Sequence, residues 1–172
     1  MTKGVSVTLT IRSAAPAVTV ALLVASIAMF GAVPARADNK RLNNGVVSNV
    51  YTVQRQAGCH GTLNVNPQLQ LAAQWQTDDM MTNRALDGDV GSDGTDPQQR
   101  ATNAGYRGVV AQTVAINPAL AISGVELLNQ WYYNPAYMAI MSNCAYTQIG
   151  VWSENSLDRT VVVAVYGAPA TP

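Results

Sequence analysis

The stretch from Trp131 to Trp152 constrains the fold more than any other part of the chain, because it holds a helix end, a second short helix, a cysteine and a strand with no spacer between them. These pieces must pack within one small volume. Asn134-Pro135 is a helix-start signal: the Asn side chain accepts from free N–H groups of the first turn, and Pro at the first helical position gives up an N–H that had no partner. The spacing predicts a short helix over residues 136–142, apolar on one side. Ile149, Gly150, Val151 and Trp152 then read as a strand, with Gly150 marking a close backbone approach.

The first 37 residues read as a secretory leader rather than as fold. Lys3 and Arg12 give a positive start, residues 14–33 an apolar run, and Ala35-Arg36-Ala37 a small-x-small site, so cleavage is expected after Ala37. An uncleaved anchor is the alternative, since the run is long enough to span a bilayer. Removing the leader leaves residues 38–172, the size of one ordinary domain. Ten basic residues less Lys3, Arg12 and Arg36 leave seven against ten acids, a formal net charge of −3. That balance argues against nucleic acid and against an anionic membrane as the main partner. Once the leader is gone, no transmembrane span is expected.

Export would place Cys59 and Cys144, the two cysteines, where thiols oxidise. One intramolecular pairing is available to them. It would close a loop of about 85 residues and stabilise by roughly 4–5 kcal/mol in the chain-entropy picture. Two buried free thiols are the alternative.

In chain order, residues 38–45 form a polar, Asn-rich lead-in, read as extended. Val46, Val47, Val50, Val53 and Ala57 recur at helical spacing, predicting a helix over 46–57 stopped by Gly58. His60, the only histidine, falls in a polar turn over 59–64. Asn66-Pro67 repeats the start signal for a second helix reaching about Asn83, whose Ala and Met residues are most simply core. Residues 84–95 make a Gly- and Asp-rich loop, free to fold back over a site, and Asp96-Pro97 opens a short third helix ending near Gly105. A strand is expected over 109–115, then a long helix from Asn117-Pro118 through Trp131. After the opening stretch, residues 151–153 and 160–166 pair as a hairpin across 154–158, and 167–172 form a frayed tail. Mixed helices and strands with a terminal antiparallel pair argue for an α+β layered domain.

Several spacings together carry a family likeness. Trp131, Asn134-Pro135, Ala139-Ile140-Met141, Asn143, Tyr146 and Ile149-Gly150-Val151 form one set. Asp89, Gly91, Asp93-Gly94, Pro97, Arg100 and Gly105-Tyr106 form a second, with Leu63, Asn66-Pro67 and Ala72-Ala73 as a third. The pattern resembles bacterial members of the CAP superfamily, the SCP-like extracellular domain, over about residues 42–166. The resemblance implies an α-β-α sandwich of three layers, with helices on both faces of a short antiparallel sheet.

CAP domains commonly carry two His and two Glu around a central cleft, sometimes with a divalent metal. Here Asp89 and Tyr137 stand at the two histidine positions, and Gln112 stands at the strand glutamate. The helix glutamate would fall within 132–134, where there is no acid. Zinc needs neutral imidazoles or thiolates at about 2 Å, so no metal and no other cofactor is expected. Gln takes up no proton at useful pH, and a phenol near pKa 10 is a poor base at neutrality. Asp89, Gln112, Tyr133 and Tyr137 are therefore expected to line a cleft that hydrogen-bonds without general acid–base hydrolysis.

Asp87, Asp89, Asp93 and Asp96 invite a Ca²⁺ reading, but the loop lacks the ligand spacing and closing Glu of an EF-hand. A solvated acidic turn with one or two capping roles is the simpler account. His60 beside Cys59 supplies too few ligands for zinc and reads as a surface residue. The aromatic group Trp131, Tyr132, Tyr133, Tyr137, Tyr146 and Trp152 reads mainly as core and cleft wall, with a lipid, glycan or protein surface as the sharper reading. The expectation is a secreted or cell-envelope, monomeric, non-catalytic CAP domain. It would bind a lipid-like small hydrophobic ligand or an envelope protein. A hydrolase using Asp89 and Tyr137 and a structural envelope protein are its rivals.

Overall fold

A computed structural model describes Gly4 and residues 39–170. The leader and its cleavage site lie outside the described residues, as do Thr171 and Pro172. Among the described residues no helix is long and apolar enough to cross a membrane.

Five helices and four strands follow in the order α1 (Lys40–Gln56), β1 (Asn64–Val65), α2 (Pro67–Thr82), α3 (Pro97–Asn103), β2 (Gly108–Asn117), α4 (Gly124–Tyr132), α5 (Pro135–Met141), β3 (Gln148–Ser156) and β4 (Arg159–Pro169). The strands form one sheet in the order β1-β3-β4-β2. Strand β4 pairs antiparallel with both β3 and β2, while β1 adds a two-residue parallel bridge to β3. The sheet is thus mixed at one edge, where the sequence had suggested a polar turn and an antiparallel sheet throughout.

Central strand β4 organises two cores, because alternate side chains leave a strand on opposite faces. Val162, Ala164 and Tyr166 join Val46, Val50, Leu127, Trp131 and Ile149 under α1, α4 and α5. Val161, Val163 and Val165 join Leu69, Ala72, Ala73, Met80 and Ala101 under α2 and α3. The result is the expected α+β arrangement with helices on both faces. Contact between α2 and β3 is backbone to backbone: a Cβ on Gly150 would stand 2.0 Å from Gln70 N and 2.1 Å from the Leu69 carbonyl carbon.

Two helix ends are closed by the same device, and each aims a key residue. Gly58 (φ 88°) lets its own N–H bond Arg55 O and the Cys59 N–H bond Gln54 O, the paired 5→2 and 6→1 bonds of a left-handed cap. Cys59 is thereby turned back toward Cys144, and the two form the disulfide. Gly105 (φ 89°) repeats the pattern at α3 and turns Tyr106 into the core.

Four element boundaries differ from the sequence reading. Helix α1 begins at Lys40 rather than Val46, because its asparagines find partners in β3: Asn39 Nδ2 donates to Ser153 O and Asn43 Oδ1 accepts from Ser153 Oγ. Asn117-Pro118 opens no helix. Asn117 ends β2, paired with Thr160, and its side chain donates to Ala121 O across a loop; Ser123 instead caps α4 by accepting from the Glu126 N–H. The hairpin turns on Leu157 and Asp158 alone, since 154–156 continue the ladder to the Ser156–Arg159 pair. Finally, the tail is strand as far as Pro169, opposite Gly108.

Strand β2 is a sheet edge with backbone groups facing away from β4, and side chains occupy them. Gln98 offers its amide like a single strand residue: Nε2 donates to Gly108 O and Oε1 accepts from Val110 N at 2.9 and 3.0 Å. Trp131 Nε1 donates to Val114 O. An edge so covered offers little template for another strand.

Candidate functional site

The site at this edge is assembled from the 84–95 loop, α3, β2 and α5. Asp96 and Gln99 close a capping box at the start of α3, with Pro97 at its first position. That start sets Arg100 one turn in, directed back at the loop. Its Nη1 donates to Thr95 O at 2.6 Å, and its Nη2 donates to Asp89 O at 2.6 Å and to Gln112 Oε1 at 3.2 Å. Gln112 Nε2 then donates to Asp89 Oδ1 at 3.1 Å. Arg100, Gln112 and Asp89 therefore form one continuous hydrogen-bonded chain.

Arg100 is only 4% exposed and Gln112 only 2%, so this chain runs from the interior out to an exposed carboxylate at Asp89. Burial lowers the Arg100 pKa from its ordinary value, and the charges of Asp89, Asp93, Asp96 and Asp79 oppose that shift. Its guanidinium caps two loop carbonyls, which is how a buried cation becomes tolerable.

The loop is further pinned from α2. Gln76 Nε2 donates to Gly88 O, and Asp79 accepts from Ser92 N, Ser92 Oγ and Asn83 Nδ2. Burial pushes the Asp79 carboxyl up, but these hydrogen bonds outweigh it and hold the pKa below the usual value. The loop folds back as its glycines allow, and it is fastened there. Three of the four acids are engaged separately, since Asp96 caps α3, Asp93 accepts from Thr95 and Asp89 meets Gln112, while Asp87 is exposed.

Tyr137 reaches the same edge from α5. Burial raises its pKa above the ordinary phenol, the Asp89 charge adds to this, and a backbone hydrogen bond at Val114 opposes it. Asp89, Gln112 and Tyr137 thus come together. Tyr133 does not: it is 78% exposed, edge-to-face with Tyr132 at 5.5 Å, outside the hydrogen-bonded chain. His60 is exposed.

Chemically, the group offers one carboxylate already accepting from an amide, one amide and one phenol held protonated. Those donors do not fit a tetrahedral zinc site, which needs imidazole or thiolate. Among the described residues no three His, Cys, Asp or Glu side chains gather in a way that could hold a metal ion. Nor do these three residues line any of four cavities among the described residues, of about 520, 510, 370 and 330 Å³. The one of about 370 Å³ lies between α1 and the 118–123 loop beside Leu42, Gly45, Ala121 and Ile122. Another of about 330 Å³ lies beside Trp75, Gln76 and Arg100. Hydrogen bonding rather than concavity defines the edge site.

Sequence reasoning missed the part played by Gln76, Asp79 and Arg100. A buried Gln inside the apolar stripe of α2 was the available signal, since a buried amide implies a partner.

A model of the Cysteine-rich secretory protein family, CAP, matches residues 41–166. An outer surface protein of Borrelia burgdorferi superposes with a TM-score of 0.68 at 17% identity, covering 78% of this chain and 98% of its own. An extracellular protein of Bacillus anthracis containing an SCP domain gives 0.62 at 14% identity, over 74% of this chain and 40% of its own. A cysteine-rich secretory protein of Staphylococcus aureus gives 0.58 at 14% identity, over 77% and 40%. This chain spans nearly all of the first and less than half of the other two. At such identities the likeness is one of fold. No curated protein matches the sequence at a significant level.

Proposed function

The chain belongs to the CAP family, and from that premise we propose that it is an exported binding domain without hydrolytic chemistry. One observation carries the reading: Gln112 spends both ends of its amide, accepting from Arg100 and donating to Asp89. The carboxylate left to act as a base is engaged by a group that cannot exchange protons, and the neighbouring phenol is pushed away from the pKa a base needs. Support for export comes from the leader-like first 37 residues, from the Cys59–Cys144 disulfide, and from relatives described as outer-surface, extracellular or secretory.

The ligand class proposed is a lipid-like small molecule. The cavity beside Leu42, Ala121 and Ile122, about 370 Å³, falls within the range of small-molecule sites and is walled mainly by apolar atoms. A protein partner is the second reading, favoured by the outward-facing Tyr132 and Tyr133. Mass spectrometry of protein purified from its native host tests the first. A co-purifying lipid that disappears in Ile122→Trp supports it, and a lipid-free protein leaves the partner reading. Hydrolysis of a peptide or ester that is lost on Asp89→Asn refutes the non-catalytic assignment, as does tight Zn²⁺ binding by calorimetry.

A further inference from the structure

We propose that the cavity beside Trp75, roofed by the 84–95 loop, is a subsite for a neutral sugar residue. It shares Arg100 with the Asp89–Gln112 edge and lies apart from the apolar cavity at Ile122. About 330 Å³ in volume, it is lined by Trp75, Gln76, Asp79, Asp93, Arg100 and Asn103 among others. Trp75 is 41% exposed, so its indole is available at the rim, while Leu69 and Met80 of the same helix are buried. An indole face packs well against the C–H face of a pyranose ring, while the remaining wall is polar.

The polar wall has the free capacity a polyol needs. Thr95 N and Thr95 Oγ1 both donate to Asp93 Oδ1, so Oδ2 is open to a ligand hydroxyl. Asn103 offers an exposed amide with no hydrogen bond among the described residues. Two buried residues of the wall also carry polar atoms lacking a partner there: Gln76 Oε1, an acceptor, and Arg100 Nε, a donor. Gln76 is 0% exposed and Arg100 4%. Buried groups of opposite polarity suit a species that both donates and accepts, which is the character of a hydroxyl.

Charge chooses the class of sugar. Asp79 and Asp93 against Arg100 leave the wall net negative, which disfavours uronic and sialic acids. Trp75 is the one large apolar group of this wall, too little to hold an acyl chain or an apolar peptide side chain. The wall is also set in advance, since Ser92, Gly88 and Thr95 are tied to Asp79, Gln76 and Arg100. A ligand that finds its donors already in place loses less affinity to ordering.

The test is a ¹⁵N NMR titration of the leaderless protein with maltotriose and with the trimer of N-acetylglucosamine, using trigalacturonate and a neutral tripeptide as comparators. The expected result is a saturable shift of the Trp75 indole N–H by a neutral trisaccharide, with the Trp131 indole unmoved. Trp75→Ala should weaken binding about tenfold, the scale of a lost stacking contact, while Trp75→Phe keeps most of it; Asn103→Ala should weaken it several-fold. Absence of saturable binding by either sugar overturns the proposal. So does a shift at Gln112 without one at Trp75, or a Trp75 site that takes the peptide or the uronate in preference. Lipid capture at Ile122 is read by a different experiment, so either idea can fail alone.

Discussion

Replacing the strand amide by the acid of matching shape, Gln112→Glu, tests the central argument most directly. The change puts a second carboxylate where an N–H now donates to Asp89 Oδ1 at 3.1 Å. At an effective dielectric near 20, two like charges at that distance repel by about 5 kcal/mol, and the Arg100 guanidinium at 3.2 Å attracts the new charge by about as much. These effects cancel to first order, and solvent screens the exposed Asp89 side further. What remains is the lost hydrogen bond to a charged acceptor, roughly 1.5–3 kcal/mol, together with the cost of ionising a group at a 2% exposed position. A net loss of about 2 kcal/mol at neutral pH is expected, on the order of 6–10 °C in midpoint for a domain of this size.

The pH dependence carries the sign. Burial and Asp89 raise the folded-state pKa of the introduced carboxyl above its unfolded value of about 4.3. Its contribution to stability is therefore fully present below that value, where its O–H donates to Asp89, and is lost as pH rises through the folded pKa. Thermal unfolding by circular dichroism at pH 4 and pH 7.5 should show the gap to the parent protein widening with pH. The paired variant Asp89→Asn with Gln112→Glu should recover the loss, because the hydrogen bond then runs in the opposite direction and Arg100 gains a charged partner. A single variant as stable as the parent at both pH values, or a pair that recovers nothing, refutes the claim that residues 89 and 112 are matched.

Three further outcomes follow from the same structure. Replacing Cys59 and Cys144 together by Ser opens a loop with a sequence separation of 85 and should cost roughly 4–5 kcal/mol, read as a lower denaturant midpoint that reductant reproduces in the parent. Gly150→Ala places a methyl within 2.0 Å of the Gln70 nitrogen, so soluble expression or cooperative unfolding should be lost, whereas Gly45→Ala, which meets nothing within 4 Å, should be harmless. Asp158 is held down to about 2, first by its hydrogen bonds from Arg84. Whatever that pair contributes is present above the ordinary 3.8 and fades as pH falls toward 2, and Arg84→Ala should return the Asp158 titration measured by NMR toward 3.8.

How much of the fold could be read from the residues depended on whether a signal was local. Asn66-Pro67, Asp96-Pro97 and Asn134-Pro135 each opened the helix they announced, because the Asn or Asp side chain caps free N–H groups within its own turn. Asn117-Pro118 has the same letters and opens nothing. Its Asn belongs to a strand whose ladder with β4 reaches Thr160, and Thr160 Oγ1 donates to Ala119 O to hold the following loop. Tertiary pairing overrode a local cue there, as it did at Asn39 and Asn43. The parallel bridge at Asn64–Val65 was illegible for a related reason: two residues carry no periodicity, and only the register with Gln148 and Ile149 makes them a strand.

The site was legible as a set of substitutions but not as a system. Family spacing located residues 89, 112 and 137, and their chemistry argued against zinc and proton transfer. No reading of single positions could reveal that Gln112 is held by Arg100 on one side and Asp89 on the other, because that depends on α3 turning its first residues back over the loop. The difference matters for what the site is. A catalytic centre that had merely decayed would leave its buried strand residue with an unmet donor or acceptor, at a cost of about 1–3 kcal/mol for each. At Gln112 neither end of the amide is unmet, and an ionised acid there would face Asp89 without a proton to share. Gln112 is thus the side chain that reconciles a buried Arg100 with a carboxylate at position 89.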